Sequence, residues 1–337
     1  MTTPLSTRVY LPVRTVACLA LFSLTALATW AQTYQIKDLG AAQAYAINAS
    51  GQVSGYFSPS SGLFHGFLYA SGKLTDLGTL GGEYSNATAV NKNGELAGYS
   101  TLASGHYRPF LYSGGSMTDL GTLGGTYAVA SGLNNAQQVV GDAWLPNSED
   151  HAFLYSNGAM QDLGTLGGKT SSASGINDLG QVVGTAALPS GLAHAFLYEQ
   201  GKMTDLGTLG GFQSLAYAIN AAGQVTGQAD QSSGPSHAFL YSAGKMRDLG
   251  SLGSGSSYGY AVNGPGVVVG IAYAPSTGQY DAVIYSGGKV TDLNSVIPKN
   301  SGWGLQYASG INDSGEIVGF GLLRGQTHAF LLIPKRH

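Results

Sequence analysis

The feature that most constrains this 337-residue chain is a unit of 43 residues that recurs seven times. One aspartate and one asparagine mark each unit, and most neighbouring marks lie 43 residues apart. The aspartates are Asp38, Asp76, Asp119, Asp162, Asp205, Asp248 and Asp292. The asparagines are Asn48, Asn91, Asn134, Asn177, Asn220, Asn263 and Asn312. A fixed period of this length is typical of propeller blades, solenoid turns or arrays.

Each unit carries signals for four short strands in two hairpins. In one unit the apolar run His151–Tyr155 is separated from a second run, Met160–Leu163, by an Asn-Gly pair, which predicts a hairpin with a type I′ turn. The second hairpin is centred on Asn177, whose side chain can bond to the backbone two residues further on. Gln137 stands where the other units have the glycine of this turn, so we expect local strain or a changed loop there.

The two ends of the chain hold the two halves of one hairpin. Residues 34–40 match the second strand of the first hairpin type, and residues 328–333 match its first strand. A closed ring explains this division, whereas an open solenoid would need polar caps at both ends. We therefore predict a single all-β domain over residues 32–337. It is a seven-bladed β-propeller of four-stranded blades, closed by pairing of the strand at about 34–40 with the strand at about 328–333.

Chain order predicts which strands lie at the edges of each blade. The strand with Asp-Leu-Gly should be outermost, and the strand that follows it, rich in alanine and glycine, should be innermost, where strands crowd toward the axis. The phenylalanine and leucine of His-Ala-Phe-Leu-Tyr should pack between neighbouring blades.

Residues 1–31 differ in character from the repeats. Arg8 and Arg14 precede an apolar run and then small residues, which is typical of a secretory signal peptide cleaved after Ala28 or Ala31. The run is shorter than the ~20 residues that cross a bilayer, so an uncleaved anchor is the less favoured alternative. We expect a secreted or periplasmic protein with no membrane span after cleavage. Cys18 is the only cysteine, so the mature chain would rely on packing rather than disulfides.

Composition argues against several classes of partner. Charged residues are 10% of the chain, and loss of the two arginines in residues 1–31 moves the formal net charge from −3 to −5. No run of lysine and arginine is present, so nucleic acid is not an expected partner. Glycine at 52 residues and hydrophobic residues at 43% favour a turn-dense, strand-rich globular protein over a disordered one.

Three motifs recur in fixed order over residues 34–333: His-Ala-Phe-Leu-Tyr, Asp-Leu-Gly-Thr-Leu-Gly-Gly and Ile-Asn-x-x-Gly-Gln-Val-Val-Gly. Together they resemble the HAF-repeat family of predicted extracellular bacterial proteins. The last unit, from Asp292 to Trp303, is also similar to the longer terminal unit of that family. Two units depart from the pattern, with Arg108-Pro109 in place of His-Ala and Asp281 in place of the histidine. The resemblance implies export and implies no particular activity.

Five histidines occupy one repeat position, and they belong to different units: His65, His151, His194, His237 and His328. None has the close ligand spacing of a zinc site, so we expect no metal and no cofactor. The hairpin register places each histidine diagonally across from the aspartate of Asp-Leu-Gly. We predict a structural His–Asp hydrogen bond, with the aspartate also accepting bonds from the glycine turn. Ligand contact is the alternative role for these histidines.

Two further patterns could carry chemistry. Residues 255–259 match the Gly-x-Ser-x-Gly nucleophile pattern, but that motif works on a strand-to-helix turn, and here it falls in a loop of an all-β repeat. Asp142, Glu149 and Asp150 form the one acidic cluster outside the repeat positions, and paired carboxylates at the right separation could cleave a glycosidic bond. A solvated loop is the favoured interpretation, and no catalytic residue is assigned.

The loops between the second and third strands vary most, and they should gather on one face of the ring. They are predicted at residues 57–64, 99–107, 142–150, 185–193, 228–236, 271–280 and 320–327. With the final connection they carry the candidate ligand-binding aromatics Tyr99, Tyr107, Trp144, Tyr273, Tyr280 and Trp303. Such rings suit stacking on sugars or contact with a protein, and they could instead cap the blade cores.

These observations favour a secreted binding protein that recognises an extracellular polysaccharide or cell-surface glycan without catalysis. A protein-binding or envelope-structural scaffold is one alternative. A propeller-type glycoside hydrolase or lyase is the other, and it is disfavoured because no unit adds a convergent set of catalytic side chains.

Overall fold

Seven antiparallel sheets of four strands each make up the fold, as predicted for a seven-bladed β-propeller. A computed structural model describes residues 32–60 and 62–335. The expected signal peptide, residues 1–31, lies outside the described residues. Blades are numbered 1 to 7 in chain order.

The N-terminal strand is β1 (Tyr34–Gly40). Blade 1 contains β2 (Ala42–Ile47), β3 (Val53–Phe57), β4 (His65–Ala70) and β5 (Lys73–Asp76). Blade 2 contains β6 (Gly81–Val90), β7 (Leu96–Leu102), β8 (Tyr107–Ser113) and β9 (Ser116–Asp119). Blade 3 contains β10 (Ala128–Leu133), β11 (Val139–Trp144), β12 (Asp150–Ser156) and β13 (Ala159–Asp162). Blade 4 contains β14 (Ser171–Ile176), β15 (Val182–Ala187), β16 (Ala193–Glu199) and β17 (Lys202–Asp205).

Blade 5 contains β18 (Gly210–Ile219), β19 (Val225–Gln231), β20 (His237–Ser242) and β21 (Lys245–Asp248). Blade 6 contains β22 (Ser257–Val262), β23 (Val268–Ala274), β24 (Gln279–Ser286) and β25 (Lys289–Asp292). Blade 7 contains β26 (Trp303–Ile311), β27 (Ile317–Leu323) and β28 (Gln326–Pro334), together with β1. A short 3-10 helix, Leu293–Val296, follows β25. Within the described residues, no helix has the length and apolar character needed to cross a membrane.

The ring closes through the two ends of the chain. β1 pairs antiparallel with β28, from Tyr34 opposite Pro334 to Asp38 opposite Phe330. The Lys335 amide adds a hydrogen bond of 2.9 Å to the Thr33 carbonyl. Blade 7 is therefore built from both termini, and the predicted closure is confirmed.

The first strand of each blade lies on the axis. β2, β6, β10, β14, β18, β22 and β26 each contact the first strand of the next blade, and β26 contacts β2 to complete the circle. Each strand with Asp-Leu-Gly lies at the opposite edge of its sheet. The predicted inner and outer order is confirmed, and the seven inner strands enclose a central channel.

The core lies between neighbouring blades. The phenylalanine of His-Ala-Phe-Leu-Tyr is fully buried at Phe67, Phe110, Phe153, Phe196, Phe239 and Phe330. In blade 3, for example, Phe153 shares a cluster with Ala97 and Leu120 of blade 2. Burying each such ring contributes roughly 1.5–3 kcal/mol, so the repeated phenylalanine supplies much of the inter-blade stability.

The hairpin turns follow the predicted chemistry. Asn157 and Gly158 have φ of 53° and 82°, as a type I′ turn requires. Gln137 also has a positive φ, 59°, and its amide still donates to the Asn134 carbonyl at 3.2 Å. The turn is therefore retained at the cost of backbone strain, and the loop does not change. The side-chain Nε2 of Gln137 also donates to the Glu95 carboxylate at 2.6 Å.

The repeat asparagines form a closed circle of hydrogen bonds that the sequence did not predict. Each Nδ2 donates to the backbone carbonyl of the next asparagine, at distances from 2.8 Å to 3.3 Å, and Asn312 donates back to Asn48. All seven side chains are buried. Their Oδ1 atoms accept bonds from the amides of their own turns, as for Asn177 with Leu179 and Gln181 at 3.1 Å. One residue type therefore both shapes each turn and links adjacent blades.

The His–Asp hydrogen bond is present in five blades. The histidine Nδ1 lies 2.9–3.0 Å from the aspartate in the pairs His65–Asp76, His151–Asp162, His194–Asp205, His237–Asp248 and His328–Asp38. In the hairpins of blades 1 to 5 and in β1, the aspartate also accepts from the glycine amide two residues on, as at Gly164 (2.7 Å). In blade 2, Arg108 takes the histidine's place, with Nε 3.9 Å from Asp119.

Replacing Asp162 by alanine should lower the melting temperature by about 2–4 °C, equivalent to about 1 kcal/mol, because the carboxylate joins His151 to the Gly164 turn. Differential scanning calorimetry of Asp162→Ala beside Gln161→Ala, an exposed neighbour on the same strand, measures this. Equal melting of the two variants would show that the hydrogen bond is not structural.

Candidate functional site

A β-bulge in every inner strand turns one side chain into the channel. The irregularity falls three residues before the ring asparagine in all seven blades. The bulge residues are Tyr45, Thr88, Ser131, Ser174, Tyr217, Tyr260 and Ser309. Opposite the bulge stands a glycine of the second strand, such as Gly184, where a Cβ would overlap the Ser172 carbonyl oxygen. Bulges re-aim side chains at functional sites, and here they present a row of hydroxyls.

Five of these seven residues line a cavity of about 470 Å³, which we call the channel cavity. It is lined by Gln43, Tyr45, Asn86, Thr88, Tyr99, Ser131, Tyr260, Tyr307, Ser309 and Phe320. Inner strands of five blades contribute, so the cavity lies on the axis. One wall is aromatic, where Tyr307 stacks on Phe320 at 4.5 Å and on Tyr260 at 6.3 Å. Across from it, blades 2 and 3 contribute the small hydroxyl residues Thr88 and Ser131.

A second cavity of about 250 Å³ adjoins the first between blades 1 and 2, and we call it the aromatic groove. It is lined by Tyr45, Tyr56, Phe64, Tyr84, Ser85, Asn86, Tyr99 and Tyr107. Its rings contact one another in series, with centroids 5.8 Å apart for Tyr45–Tyr56, 5.5 Å for Tyr56–Phe64 and 6.1 Å for Phe64–Tyr84. Phe64 is 44% exposed. Tyr45, Asn86 and Tyr99 line both cavities, so the two form one continuous site.

The polar groups of this site are neutral. Burial raises the pKa of Tyr45 above its ordinary value, and the neighbouring phenol of Tyr56 raises it further. Burial also raises the pKa of Tyr260. Asn86 is 9% exposed and its Nδ2 donates to the Tyr99 hydroxyl at 3.0 Å. Its Oδ1 has no hydrogen-bond partner within residues 32–60 and 62–335. The site therefore offers hydroxyl donors, amide groups and ring faces without a formal charge.

Three of the sequence-predicted aromatics are brought together beside the groove. The ring centroids of Tyr99 and Tyr107 are 5.8 Å apart. Tyr107 contacts Tyr127 with centroids 6.0 Å apart, and Tyr127 contacts Trp144 with centroids 5.2 Å apart. Tyr99 and Trp144 belong to strands β7 and β11 rather than to loops, because the second strands extend further than predicted. Trp144 is 39% exposed. Tyr99 and Tyr107 line the groove itself.

The other three predicted aromatics lie elsewhere. Tyr273 and Tyr280, also on strands, are 5.8 Å apart, and Tyr280 connects through Tyr258 to Tyr260 of the channel cavity. Trp303 is half-buried in β26, and its ring packs edge-on against His328 and Phe330 at 6.2 Å and 6.0 Å. Trp303 therefore caps the core of blade 7 and is separate from the groove.

Sequence reasoning missed Tyr45, Tyr56, Tyr84, Asn86, Tyr260, Tyr307 and Phe320. These residues lie on strands, whereas variable loops are the usual place for binding residues. A signal existed for two of them, since Tyr45 and Tyr260, like Tyr217 of blade 5, interrupt a repeat position that otherwise holds serine or threonine.

The acidic cluster of Asp142, Glu149 and Asp150 lies near Trp144, where the aromatic series that begins at Tyr99 ends. Asp142 is half-buried on β11, and burial, followed by the Asp150 carboxylate, raises the pKa of Asp142 to about 6. A hydrogen bond of 2.9 Å from the Ser172 hydroxyl opposes this shift. Burial also raises the pKa of Asp150, and its Oδ1 has no hydrogen-bond partner in the described part of the chain. Asp142 and Asp150 are thus strand residues, and Glu149 alone remains in the predicted solvated loop.

Replacing Asp142 by asparagine should stabilise the protein at neutral pH. The pKa of the Asp142 carboxyl is about 6 in the folded protein and near 3.8 in the unfolded chain, so the folded protein binds the carboxyl proton more tightly. Ionisation of Asp142 therefore costs stability as the pH rises from about 4 to 6. We expect Asp142→Asn to gain about 1–3 kcal/mol at pH 7 and nothing below about pH 4. Thermal melts across this range, with Glu149→Gln as a control that removes one charge nearby, test it. A gain independent of pH would contradict the assignment.

The remaining sequence patterns have structural explanations. Ser257, the central residue of the Gly-x-Ser-x-Gly match, is fully buried; its hydroxyl donates to Gly250 at 2.6 Å and accepts from the Ala238 amide at 2.9 Å. The repeat histidines lie in separate blades. Within residues 32–60 and 62–335, no three His, Cys, Asp or Glu side chains are grouped as metal ligands.

Comparison with known proteins identifies the fold and no family. No protein-family profile matches the sequence, and no curated protein sequence matches it. The β-propeller domain of the Trilobed protease from Pyrococcus furiosus is similar over 90% of this chain and 95% of its own, with 10% identity and a TM-score of 0.56. That domain is described as having an open velcro topology, whereas β1 and β28 pair here.

Two larger proteins contain a similar propeller. A puromycin-hydrolyzing peptidase from Mycobacterium tuberculosis is 12% identical with a TM-score of 0.55, over 86% of this chain and 49% of the peptidase. TolB from Acinetobacter baumannii is 12% identical with a TM-score of 0.50, over 85% of this chain and 64% of TolB. The present chain spans less than two thirds of either protein. At these identities, the likeness concerns the fold alone.

Proposed function

We propose that this chain is a secreted binding protein that recognises an extracellular polysaccharide or cell-surface glycan through the aromatic groove and the adjoining channel cavity. The observation that carries the proposal is the concentration of half-buried tyrosine rings, neutral amides and hydroxyls in one continuous site of a sevenfold repeat. Concave sites with aromatic walls and a few placed polar groups are typical ligand sites. Sugar rings offer apolar faces for stacking and hydroxyls for hydrogen bonds, so they match both components.

The departure from sevenfold symmetry supports a binding role. A purely structural propeller has no need for tyrosine at Tyr45 and Tyr260, since four of the seven equivalent residues are serine or threonine. Each buried phenol must find partners for its hydroxyl, which makes the site a polar as well as an aromatic surface. The signal-like residues 1–31 support export.

Binding of the protein from Gln32 onward to an array of glycans and polysaccharides tests the proposal. A Phe64→Ala, Tyr84→Ala double variant should lose binding by about ten-fold or more, because both rings of one stacked pair in the groove are removed. Phe212→Ala is the matched control, since Phe212 is 73% exposed and lies outside the groove. An array without any hit, or equal loss in both variants, would contradict the proposal.

Two alternatives stand beside the proposal. A protein-binding or envelope-structural scaffold is one, and co-purification of a partner from the producing cell would detect it. The raised pKa of Asp142 beside Asp150 favours a glycoside hydrolase or lyase. Release of reducing ends from a bound glycan, abolished in Asp142→Asn, would establish that activity.

A further inference from the structure

The channel cavity differs from the groove in how a ligand can enter it. The seven sheets form a closed ring, and β26 contacts β2 as closely as the other inner strands contact their neighbours. Within the described residues, the ring of sheets has no gap through which the middle of a long polymer could pass from the side. A chain that enters the cavity along the axis does so by inserting one end or by threading through the whole ring. Insertion of an end requires the ordering of far fewer units.

The bulge residues leave room for such an end on one side of the axis only. The rings of Tyr217 and Tyr260 are tilted against each other with centroids 5.4 Å apart, and they occupy the side of the channel formed by blades 5 and 6. Thr88 and Ser131, on the adjacent blades 2 and 3, present small side chains to the cavity. The cavity therefore has an aromatic wall facing a hydroxyl wall, which suits a flat polyhydroxylated ring with one apolar face.

The lining carries no charged side chain. The residues around the channel cavity and the groove are tyrosine, phenylalanine, asparagine, glutamine, serine and threonine. An anionic sugar would lose its hydration there without gaining a basic partner, which disfavours its binding. A neutral sugar hydroxyl could donate to the buried Asn86 Oδ1, which has no partner within the described residues, and would remove the cost of that unpaired acceptor.

We infer that the channel cavity binds the terminal unit of an uncharged glycan, while the units that follow lie along the aromatic groove. The inference rests on the proposed function and adds to it the charge of the ligand and the end-on mode of binding. Asn86, shared by both cavities, stands where the terminal unit meets the next one.

Two substitutions at the same repeat position test the inference. Ser131→Tyr places a large ring in the channel cavity, and Ser174→Tyr makes the same change one blade further on, outside the lining. Both should fold, because Tyr45, Tyr217 and Tyr260 already occupy this position. We expect Ser131→Tyr to weaken binding of neutral oligosaccharides by about ten-fold or more and Ser174→Tyr to leave it unchanged.

The probes are linear gluco-, manno- and cello-oligosaccharides beside oligogalacturonate and alginate, with affinity measured by calorimetry. We expect binding of a neutral series and none of the two anionic ones. At saturation, the number of proteins bound per polymer chain should stay constant as the chain lengthens, since only ends are recognised. Preference for an anionic probe, or binding that increases with chain length, would overturn the inference.

The outcomes separate this inference from the proposed function. If Phe64→Ala, Tyr84→Ala abolishes glycan binding and Ser131→Tyr has no effect, the groove binds glycans and the end-on inference is wrong. If the unmodified protein binds no glycan, both are wrong. Asn86→Ala provides a second readout: it should weaken binding while leaving the melting temperature nearly unchanged, because it also removes the unpaired buried oxygen. A large loss of stability with unchanged affinity would show that Asn86 is only structural.

Discussion

Removal of residues 32–40 should lower the melting temperature of the entire propeller by about 10 °C or more, or prevent folding, although only nine residues are lost. β1 is the outer strand of blade 7 and pairs with β28 along its length. Tyr34 and Leu39 are buried at 3% and 6% exposure, and each belongs to an inter-blade core cluster. Losing both side chains removes roughly 3–6 kcal/mol of hydrophobic burial.

The deletion also leaves β28 as an unpaired edge. Leu331 and Leu332 would lose part of their cover, and His328 would lose Asp38. An exposed apolar edge strand promotes association, so the truncated protein should also aggregate on heating. Scanning calorimetry and light scattering measure the two effects.

A circular permutant provides the control for this deletion. Joining Lys335 to Gln32 by a short Gly/Ser linker and opening the chain between Ser190 and Gly191 keeps every strand, since the Lys335 amide already bonds to the Thr33 carbonyl. It should melt close to the unmodified protein. A truncated protein as stable as the permutant would argue that closure through β1 contributes little to the fold.

Replacement of Asn91 by alanine should cost about 2–5 kcal/mol and lower the melting temperature by roughly 5–15 °C, a large effect for one polar side chain. Asn91 is 4% exposed. Its Oδ1 accepts from the Asn93 and Glu95 amides at 3.0 Å and 3.1 Å, and its Nδ2 donates to the Asn134 carbonyl at 3.3 Å. Alanine leaves these groups without their partner, two in blade 2 and one in blade 3.

The same turn contains the control for this prediction. Asn93 is exposed, so Asn93→Ala should change stability by no more than about 0.5 kcal/mol. Urea denaturation of both variants gives the two free energies of unfolding. If Asn91→Ala were as mild as Asn93→Ala, the circle of hydrogen bonds between blades would be incidental to stability.

Local signals in the sequence were sufficient for most of the fold. An Asn-Gly pair between two apolar runs specifies a type I′ hairpin whatever surrounds it, and Asn157 and Gly158 adopt it. The offset between His151 and Asp162 follows from that two-residue turn, because a fixed register places the two side chains diagonally on one face. The two halves of one hairpin lie at opposite ends of the chain, and this observation alone predicted that the ring of blades closes.

The candidate site was less accessible to sequence reasoning. Variable loops are the usual place for binding residues, but here the strands extend further than predicted, so Tyr99, Trp144, Tyr273 and Tyr280 lie on strands. The residues that complete the groove, such as Tyr45 and Tyr84, come from different blades. The distance between such residues depends on how closely neighbouring blades pack in the ring, and no local sequence pattern determines that packing.

The sequence by itself determined the repeat, the four strands of each blade, the turn types and the pairing of the two chain ends, because each depends on contacts within one hairpin or on simple counting. The tertiary structure alone decided which side chains meet across blades. It converted Asn48 and its six equivalents from turn residues into a closed circle of inter-blade bonds. It also directed the bulge residues into one channel, since the curvature of a closed ring brings seven distant positions onto a common axis.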